Sequence, residues 1–387
     1  MLKEKFTISP YYELHNNEVS GQPQYTLHHK TQADILVVNP VIYTFLNLFK
    51  TPASLEDAIT FFVKETKSSI KEVKPILLSF FDSMLERAIL MHEEDYNCLT
   101  IRPTMPNAEG QMWFDYHLIK QLSTDPPVDI YLAQKENGNR YIVKRVLFAP
   151  DYPIKYVQKE LKNFQREFNF LKILRGCKGI CQLIENNTEH NYAAIEYFEG
   201  YSLRKRIEDI EPSLTITEKC HIYTQILETM AFIHEKGILH GDFHYSNILL
   251  NDDLIVKIID FDLALHITER EKKGIVRGGV KDFLPPERID TNAFEIFNDP
   301  PDYQAEVFQI GVIGYFLFFE SLPFKGNTWT ELAHAITHQE LKFDTAELPQ
   351  PIALFLKKTL HKVPKLRFDS AIDMCQEWLL LTTEMKS

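Results

Sequence analysis

Basic charge, cysteine and long apolar runs are all scarce in this sequence, and each shortage removes a class of function. Lys and Arg number 42 against 54 Asp and Glu, for a formal net charge of −12. That balance argues against a nucleic-acid or anionic-membrane surface and makes basic peptides or metal-bound nucleotides the easier partners. The five cysteines, Cys98, Cys177, Cys181, Cys220 and Cys375, are odd in number and scattered, so no disulfide framework is expected. Cys177 and Cys181 lie close together in Arg-Gly-Cys-Lys-Gly-Ile-Cys but have no matching His or Cys pair to complete a zinc site, and they read as buried thiols. The longest apolar run, Phe308 to Phe319, is too short to span a bilayer, and Met1 to Thr7 lacks the apolar core of a signal peptide. A cytoplasmic protein with neither membrane nor nucleic-acid partners is the expectation. No repeat or low-complexity tract appears, and 387 residues with 44% hydrophobic content predict two or three globular domains.

The front of the chain alternates apolar and polar residues in short pieces, Phe6-Thr7-Ile8-Ser9, Gln24-Tyr25-Thr26-Leu27-His28 and Asp34-Ile35-Leu36-Val37-Val38. Asn16-Asn17 and Gly21-Gln22-Pro23 separate them, which predicts three small strands. Helical periods follow over Pro40 to Leu48, from Ser54 to about Glu65 with Asp57 as capping partner, and from Ser69 to about Ala88. Ala88-Ile89-Leu90-Met91 reads as a closing strand, giving an α+β, winged-helix-like unit. Such units often bind DNA, but this one carries many acids and no Arg-rich recognition helix, so DNA is disfavoured. Glu93 to Gly110, acidic and then Pro-rich, reads as a linker.

With Leu36-Val37-Val38-Asn39-Pro40 entering one helix and Thr51-Pro52-Ala53-Ser54-Leu55-Glu56-Asp57-Ala58 opening the next, residues 1–93 resemble PqqD-like domains. The resemblance rests on pattern, without an invariant chemical residue. Such domains recognise ribosomally made, post-translationally modified peptides. It implies that a leader peptide adds a strand at the 34–38 edge and lays apolar side chains against the third helix. The implied contacts are Leu36, Val38, Val73 and Leu77, with Phe80 and Phe81 beside them, although each helix residue taken alone also reads as ordinary core.

After the linker, residues 94–111, strands are predicted over Tyr116 to Leu122, Val128 to Gln134 and Arg140 to Leu147, with a hairpin turn at Glu136-Asn137-Gly138-Asn139. Lys144 lies in the third strand. The amphipathic helix from about Ile154 to Leu174 carries Glu160 and Glu167, and a lysine buried at a strand centre needs such an anion. Glu167 is the better partner because Leu171 and Leu174 follow it at helical spacing. Tyr192 to Glu196 reads as a buried strand leaving into a connector that can offer backbone groups to an adenine edge. A helix over about Thr217 to Lys236, with Ile222, Ile226, Met230 and Ile233 on one face, delivers the chain to His240-Gly241-Asp242-Phe243-His244-Tyr245-Ser246-Asn247. With Ile258-Ile259-Asp260-Phe261-Asp262 after a short hairpin, these residues place two carboxylates and an amide in one cleft. That set can hold Mg²⁺ on a triphosphate and orient a hydroxyl.

Together these residues resemble the eukaryotic-type protein kinase fold over residues 112–385, with an N-lobe over 112–200 and a C-lobe over 201–387. By that resemblance Lys144 is the strand lysine, Glu167 its helix partner, Asp242 the catalytic-loop acid, and Asn247 and Asp260 the Mg²⁺ ligands. Leu284-Pro285-Pro286-Glu287 matches the Ala-Pro-Glu element, Glu306 to Gly311 opens the buried central helix, and Arg367 is the late arginine that pairs with Glu287. The resemblance further implies ATP contacts at Ile130, Ile142, Ile195, Glu196, Phe198 and Leu249, and phosphate-side contacts at Ser123, Thr124 and His244.

Several positions depart from the kinase pattern. Leu122 to Ile130 contains no glycine, and Pro126 and Pro127 lack the N–H donors a phosphate loop offers, so ATP affinity is expected to lean on Lys144 and metal. Gly241 replaces the arginine that couples the loop acid to a phosphorylated activation segment, so control by loop phosphorylation is not expected. His-Gly-Asp-x-His-x-x-Asn also resembles aminoglycoside phosphotransferases, leaving the substrate class open from the loop alone. His244 reads equally as a phosphate-side residue or a structural hydrogen-bonding histidine. Asp262, standing where kinases carry glycine, is expected to stiffen its turn. The Asp260 to Glu287 segment with its Pro-Glu platform tips the substrate towards a peptide. The resulting expectation is an ATP- and Mg²⁺-dependent kinase acting on Ser or Thr of a precursor peptide recruited by its leader. A peptide-binding pseudokinase scaffold and a small-molecule kinase are the alternatives.

Overall fold

In the computed structural model the described residues are 4–9, 12–19, 22–29, 35–86, 89–93, 107–125, 127–148, 154–269, 280–289, 301–341, 343 and 348–385. Cys98 and the core of the expected linker fall outside them. The front region holds β1 (Lys5–Ile8), β2 (Tyr12–Val19), β3 (Gln22–His29), β4 (Ile35–Val38), α1 (Pro40–Asn47), β5 (Ala53–Ser54), α2 (Leu55–Thr66), α3 (Ile70–Glu86) and β6 (Leu90–His92). The strands form two antiparallel three-stranded sheets, ordered β5-β1-β6 and β2-β3-β4. Ser54 caps α2 as expected: its Oγ accepts from the Asp57 N–H at 3.1 Å and donates to Asp57 Oδ2 at 2.6 Å. Phe6, Phe45, Phe49, Leu55, Phe62 and Phe81 close a hydrophobic core that belongs to this region alone.

Two expectations about this region are corrected. Asn16-Asn17 and Gln22-Pro23 do not break strands. They pair across the β2–β3 ladder, Asn17 with Gln24 and Glu18 with Pro23, because eight paired residues outweigh the local turn preference of Asn. Leu77 and Val38 do not line an open groove. They are 4% and 9% exposed and belong to the core. The open depression on α3, about 570 Å³, is lined instead by Pro75, Ile76, Ser79, Phe80 and Ser83. The side chains of Leu36 and Val73 lie outside the described residues.

The second region begins with a six-stranded antiparallel sheet ordered β11-β12-β10-β9-β8-β7. Its strands are β7 (Met112–Trp113), β8 (Tyr116–Asp125), β9 (Val128–Gln134), β10 (Arg140–Val146), β11 (Leu183–Asn187) and β12 (Tyr192–Glu196), and α4 (Ile154–Ile173) packs on them. Beyond the Tyr197–Gly200 connector the chain is mainly helical. β13 (Tyr201–Ser202), α5 (Leu203–Glu208), α6 (Ile216–Glu235), β14 (Ile238–Leu239), β15 (Ile248–Leu250), β16 (Val256–Ile258) and β17 (Leu265–His266) precede α7 (Tyr303–Phe319), α8 (Trp329–His338), α9 (Gln350–Thr359) and α10 (Ala371–Glu384). Helix α6 starts at a Thr215/Glu218 capping box and buries the expected face of Ile222, Ile226, Met230 and Ile233. Helix α7 is apolar all round and buried along its length, as a helix surrounded by others must be. Gln24 on β3 donates to Thr330 at the start of α8, 3.3 Å away.

Candidate active site

The loop between β14 and β15 is fixed by alternation. Phe243 and Tyr245 turn inward, 0% and 6% exposed, and the Tyr245 ring sits 4.9 Å from both Phe283 and Phe316. Asp242 and His244 are thereby turned to the cleft, with His244 Nε2 3.5 Å from Asp242 Oδ2. His244 Nδ1 accepts from the Ser246 N–H at 3.2 Å, so the ring also shapes the loop. Asn247 donates through Nδ2 to the Asp242 carbonyl at 2.9 Å, leaving its amide oxygen for a cation. His240, fully buried, donates through Nε2 to the Ile259 carbonyl at 3.1 Å, and Ile259 N–H donates to the Asn247 carbonyl at 2.9 Å. These two bonds tie the loop to the strand end that carries Asp260.

Asp260 lies in the left-handed region, φ +70°. Its Oδ1 is shielded from solvent and accepts no hydrogen bond, while the side chain as a whole is 42% exposed, so the other oxygen faces the cleft. The Asp260 carboxylate and the Asn247 amide oxygen are the donor types that a hard, oxygen-liganded cation such as Mg²⁺ takes.

Lys144 approaches from β10. Of Glu160 and Glu167 it is Glu167 that meets it, with Nζ to Oε1 at 2.7 Å between side chains 10% and 3% exposed. Asp262 Oδ1 and Asp260 Oδ1 lie 3.6 and 3.9 Å from the same nitrogen. Burial opposes the Lys144 charge, but Asp262, Glu167 and Asp260 more than offset it and raise the ammonium above its ordinary value. Burial pushes Glu167 well above the usual carboxylate range against the pull of Lys144, and it raises Asp260 as well. Asp262 goes the other way: burial works to raise it, yet Lys144 and hydrogen bonds hold it below. Reading Asp262 only as a stiffener of its turn missed this added carboxylate. The signal was present in the sequence, as an acid where the kinase pattern has a residue with no side chain.

Other expected positions are spread around this centre. Ile130 stands opposite Lys144 in the β9–β10 ladder, and Ile142 stands opposite Ile195 between β10 and β12. Leu249 is half-buried while its neighbours Ile248 and Leu250 are fully buried, and Phe198 is half-buried in the connector. The Ile195 side chain, 7% exposed, is part of the main core, and the Glu196 carboxylate is engaged by Lys257 at 3.3 Å and by the Gln182 N–H at 2.9 Å, which leaves the backbone as what this stretch could offer an adenine edge. Ser123 is exposed and the side chain of Thr124 lies outside the described residues. β8 and β9 stay paired up to Asp125 opposite Val128, so only two residues of sequence stand where the kinase pattern has its phosphate loop. Cys177 and Cys181 are buried, and burial raises the Cys181 thiol to about 12.

One brace holds the loop, and a second fixes the Glu287 segment. Glu306, 1% exposed, accepts from the Gly241 N–H through Oε1 at 2.8 Å and from His234 Nε2 through Oε2 at 2.9 Å. Glu306 was legible only as a helix start, because a buried Glu in an apolar run carries no local signal of what it will bond. Arg367 grips Glu287 in a fork, Nη1 to Oε1 at 2.9 Å and Nη2 to Oε2 at 2.7 Å. It also donates to the carbonyls of His361 at 2.7 Å and Gln304 at 2.9 Å.

A buried lysine–glutamate pair, an orphaned carboxylate and an amide-braced loop acid converging on one cleft define a metal-nucleotide phosphotransfer site. The protein kinase domain profile matches residues 129–379, and the chain belongs to that family of ATP-dependent phosphotransferases. A CDPK-related protein kinase of Daucus carota is 27% identical over 234 residues, 58% of this chain and 37% of that protein. Calcium-dependent protein kinase 6 of Plasmodium berghei (strain Anka) is 27% identical over 292 residues, 73% of this chain and 18% of that protein. A probable myosin light chain kinase of Dictyostelium discoideum is 29% identical over 196 residues, covering 49% and 47%. The chain thus spans less than half the length of each of these relatives. Among the described residues no helix is long and apolar enough to cross a membrane.

Proposed function

We propose that this chain is an ATP- and Mg²⁺-dependent kinase that phosphorylates Ser or Thr of a ribosomally made precursor peptide, held by its leader on a PqqD-like domain at residues 1–93. The observation that carries the kinase reading is the convergence of Lys144, Glu167, Asn247 and Asp260 with the loop acid Asp242. Asp242 orients or deprotonates the substrate hydroxyl, Lys144 meets phosphate oxygens, and Asn247 with Asp260 would hold Mg²⁺, whose charge offsets that of the triphosphate. The Glu287–Arg367 fork supports a peptide substrate, because it anchors the segment on which a kinase docks a chain. The leader reading rests on β4, which pairs only with β3 among the described residues, and, separately, on the apolar depression on α3.

Mass spectrometry of the full chain incubated with MgATP and the peptides encoded beside its gene tests the reading. A mass gain of one phosphate on a Ser- or Thr-containing peptide is the expected result, and Asp242→Asn should lower the rate by about 10²–10⁴-fold while MgATP binding persists. Undiminished transfer by that variant would remove Asp242 from its role. The lack of N–H donors at Pro126 and Pro127 favours one other reading, a peptide-binding scaffold without chemistry. Absence of any thermal shift with millimolar MgATP would decide for it.

A further inference from the structure

Resting on the phosphoryl-transfer reading, we propose that Asp262 is a positioning residue that gates Lys144 by charge: it occupies the lysine until nucleotide arrives and makes nucleotide binding depend on a divalent cation. Asp262 stands where the kinase pattern has glycine, so this side chain is an addition of this chain. Its Oδ1 lies 3.6 Å from Lys144 Nζ, closer than Asp260 at 3.9 Å. Carboxylate oxygens of Glu167, Asp260 and Asp262 all fall within 4.8 Å of one another. Three carboxylates therefore face one ammonium, where the usual pair would leave the lysine free to receive phosphate.

The competition matters more here than in a site with a glycine loop. Pro126 and Pro127, which separate β8 from β9 in the sequence, carry no N–H donors for phosphates, so among the described residues Lys144 is the cation on which they would lean. The Asp262 side chain is 61% exposed, whereas that of Glu167 is 3% exposed. An incoming triphosphate thus meets Asp262 and shares the same lysine. Like charges this close repel strongly in a partly desolvated site. Lys144 passes to the phosphate oxygens only once the surplus carboxylate charge is neutralised, and a divalent cation accompanying the nucleotide is the group that does so.

Isothermal titration of the full chain with ATP, in Mg²⁺ and in EDTA, tests this for the wild type, Asp262→Asn and Asp262→Gly, with thermal unfolding as the check on folding. The wild type should bind in Mg²⁺ and bind at least ~10-fold more weakly in EDTA; equal affinity in both overturns the proposal without any variant. The two variants should gain at least ~10-fold in EDTA, flattening the Mg²⁺ dependence. Variants that keep the wild-type dependence overturn it. Should only the variants bind, the gate stands and the kinase reading of the wild type fails; should nothing bind under any condition, both fail.

Discussion

Gly241 has φ +83°, and a Cβ there would sit 2.2 Å from the Leu263 carbonyl oxygen. That contact is with backbone, which cannot swing aside, and it lies one residue from Asp262. Gly241→Ala should therefore destabilise the fold by about 2 kcal/mol and shift the loop against the Asp260–Asp262 turn. Kinase activity should fall by more than MgATP affinity, read by comparing kcat with a nucleotide titration; an unchanged kcat would show that the turn tolerates the shift. The same contact explains why no arginine stands at this position: steric fit with Leu263 excludes one before regulation enters. In the sequence the Gly was legible as a missing arginine, but the carbonyl that requires it arrives from 22 residues away and leaves no trace beside it. Lys144 and Glu167 were readable because strand centre and helical spacing each point a charged group inward, whereas Asp262 was legible as an acid in place of glycine but its partner was not, since a turn sets it.

Two elements divide function from support along single faces. On α3, Ile76 is 68% exposed and lines the open depression, while the adjacent Leu77 is 4% exposed in the core. Ile76→Asp should leave the unfolding free energy within about 0.5 kcal/mol of wild type and weaken leader binding at least several-fold in a fluorescence titration. Leu77→Asp should instead unfold the front region, because it buries an unpaired charge. Tight leader binding by the Ile76 variant would move the peptide site off this face. At the other end, Arg367 fills five acceptors from within the short turn that follows α9. Arg367→Met leaves Glu287 and three carbonyls without this donor, and denaturant unfolding should show a loss of about 3–5 kcal/mol. A loss below ~1 kcal/mol would make the fork a surface pair. The helices were legible by period, while the β2–β3 ladder was not, because Asn and Pro inside it look like turns until their cross-strand partners are known.

At the scale of the molecule, the front region has its own core, separate from the cores around α4 and α7, so its removal should leave the kinase core intact. On the proposed reading its contribution is to concentration: a core peptide held by its leader would meet the cleft as a tethered reactant at an effective concentration in the millimolar range, so that weak affinity at the catalytic cleft would suffice. Deleting residues 1–93 should raise the KM for full precursor by 10²-fold or more and leave ATP hydrolysis and the kcat on saturating peptide nearly unchanged. A peptide lacking its leader should be used equally poorly by both forms, and adding the leader as a separate peptide should inhibit only the full chain. The Gln24 to Thr330 hydrogen bond at 3.3 Å and the charge of Lys281 near His28 join the front region to the rest, and their loss alone supplies no reason for the cleft to change. Parallel losses of precursor use and ATP hydrolysis on deletion would therefore mean that the front region shapes the catalytic cleft directly and that tethering is not its role.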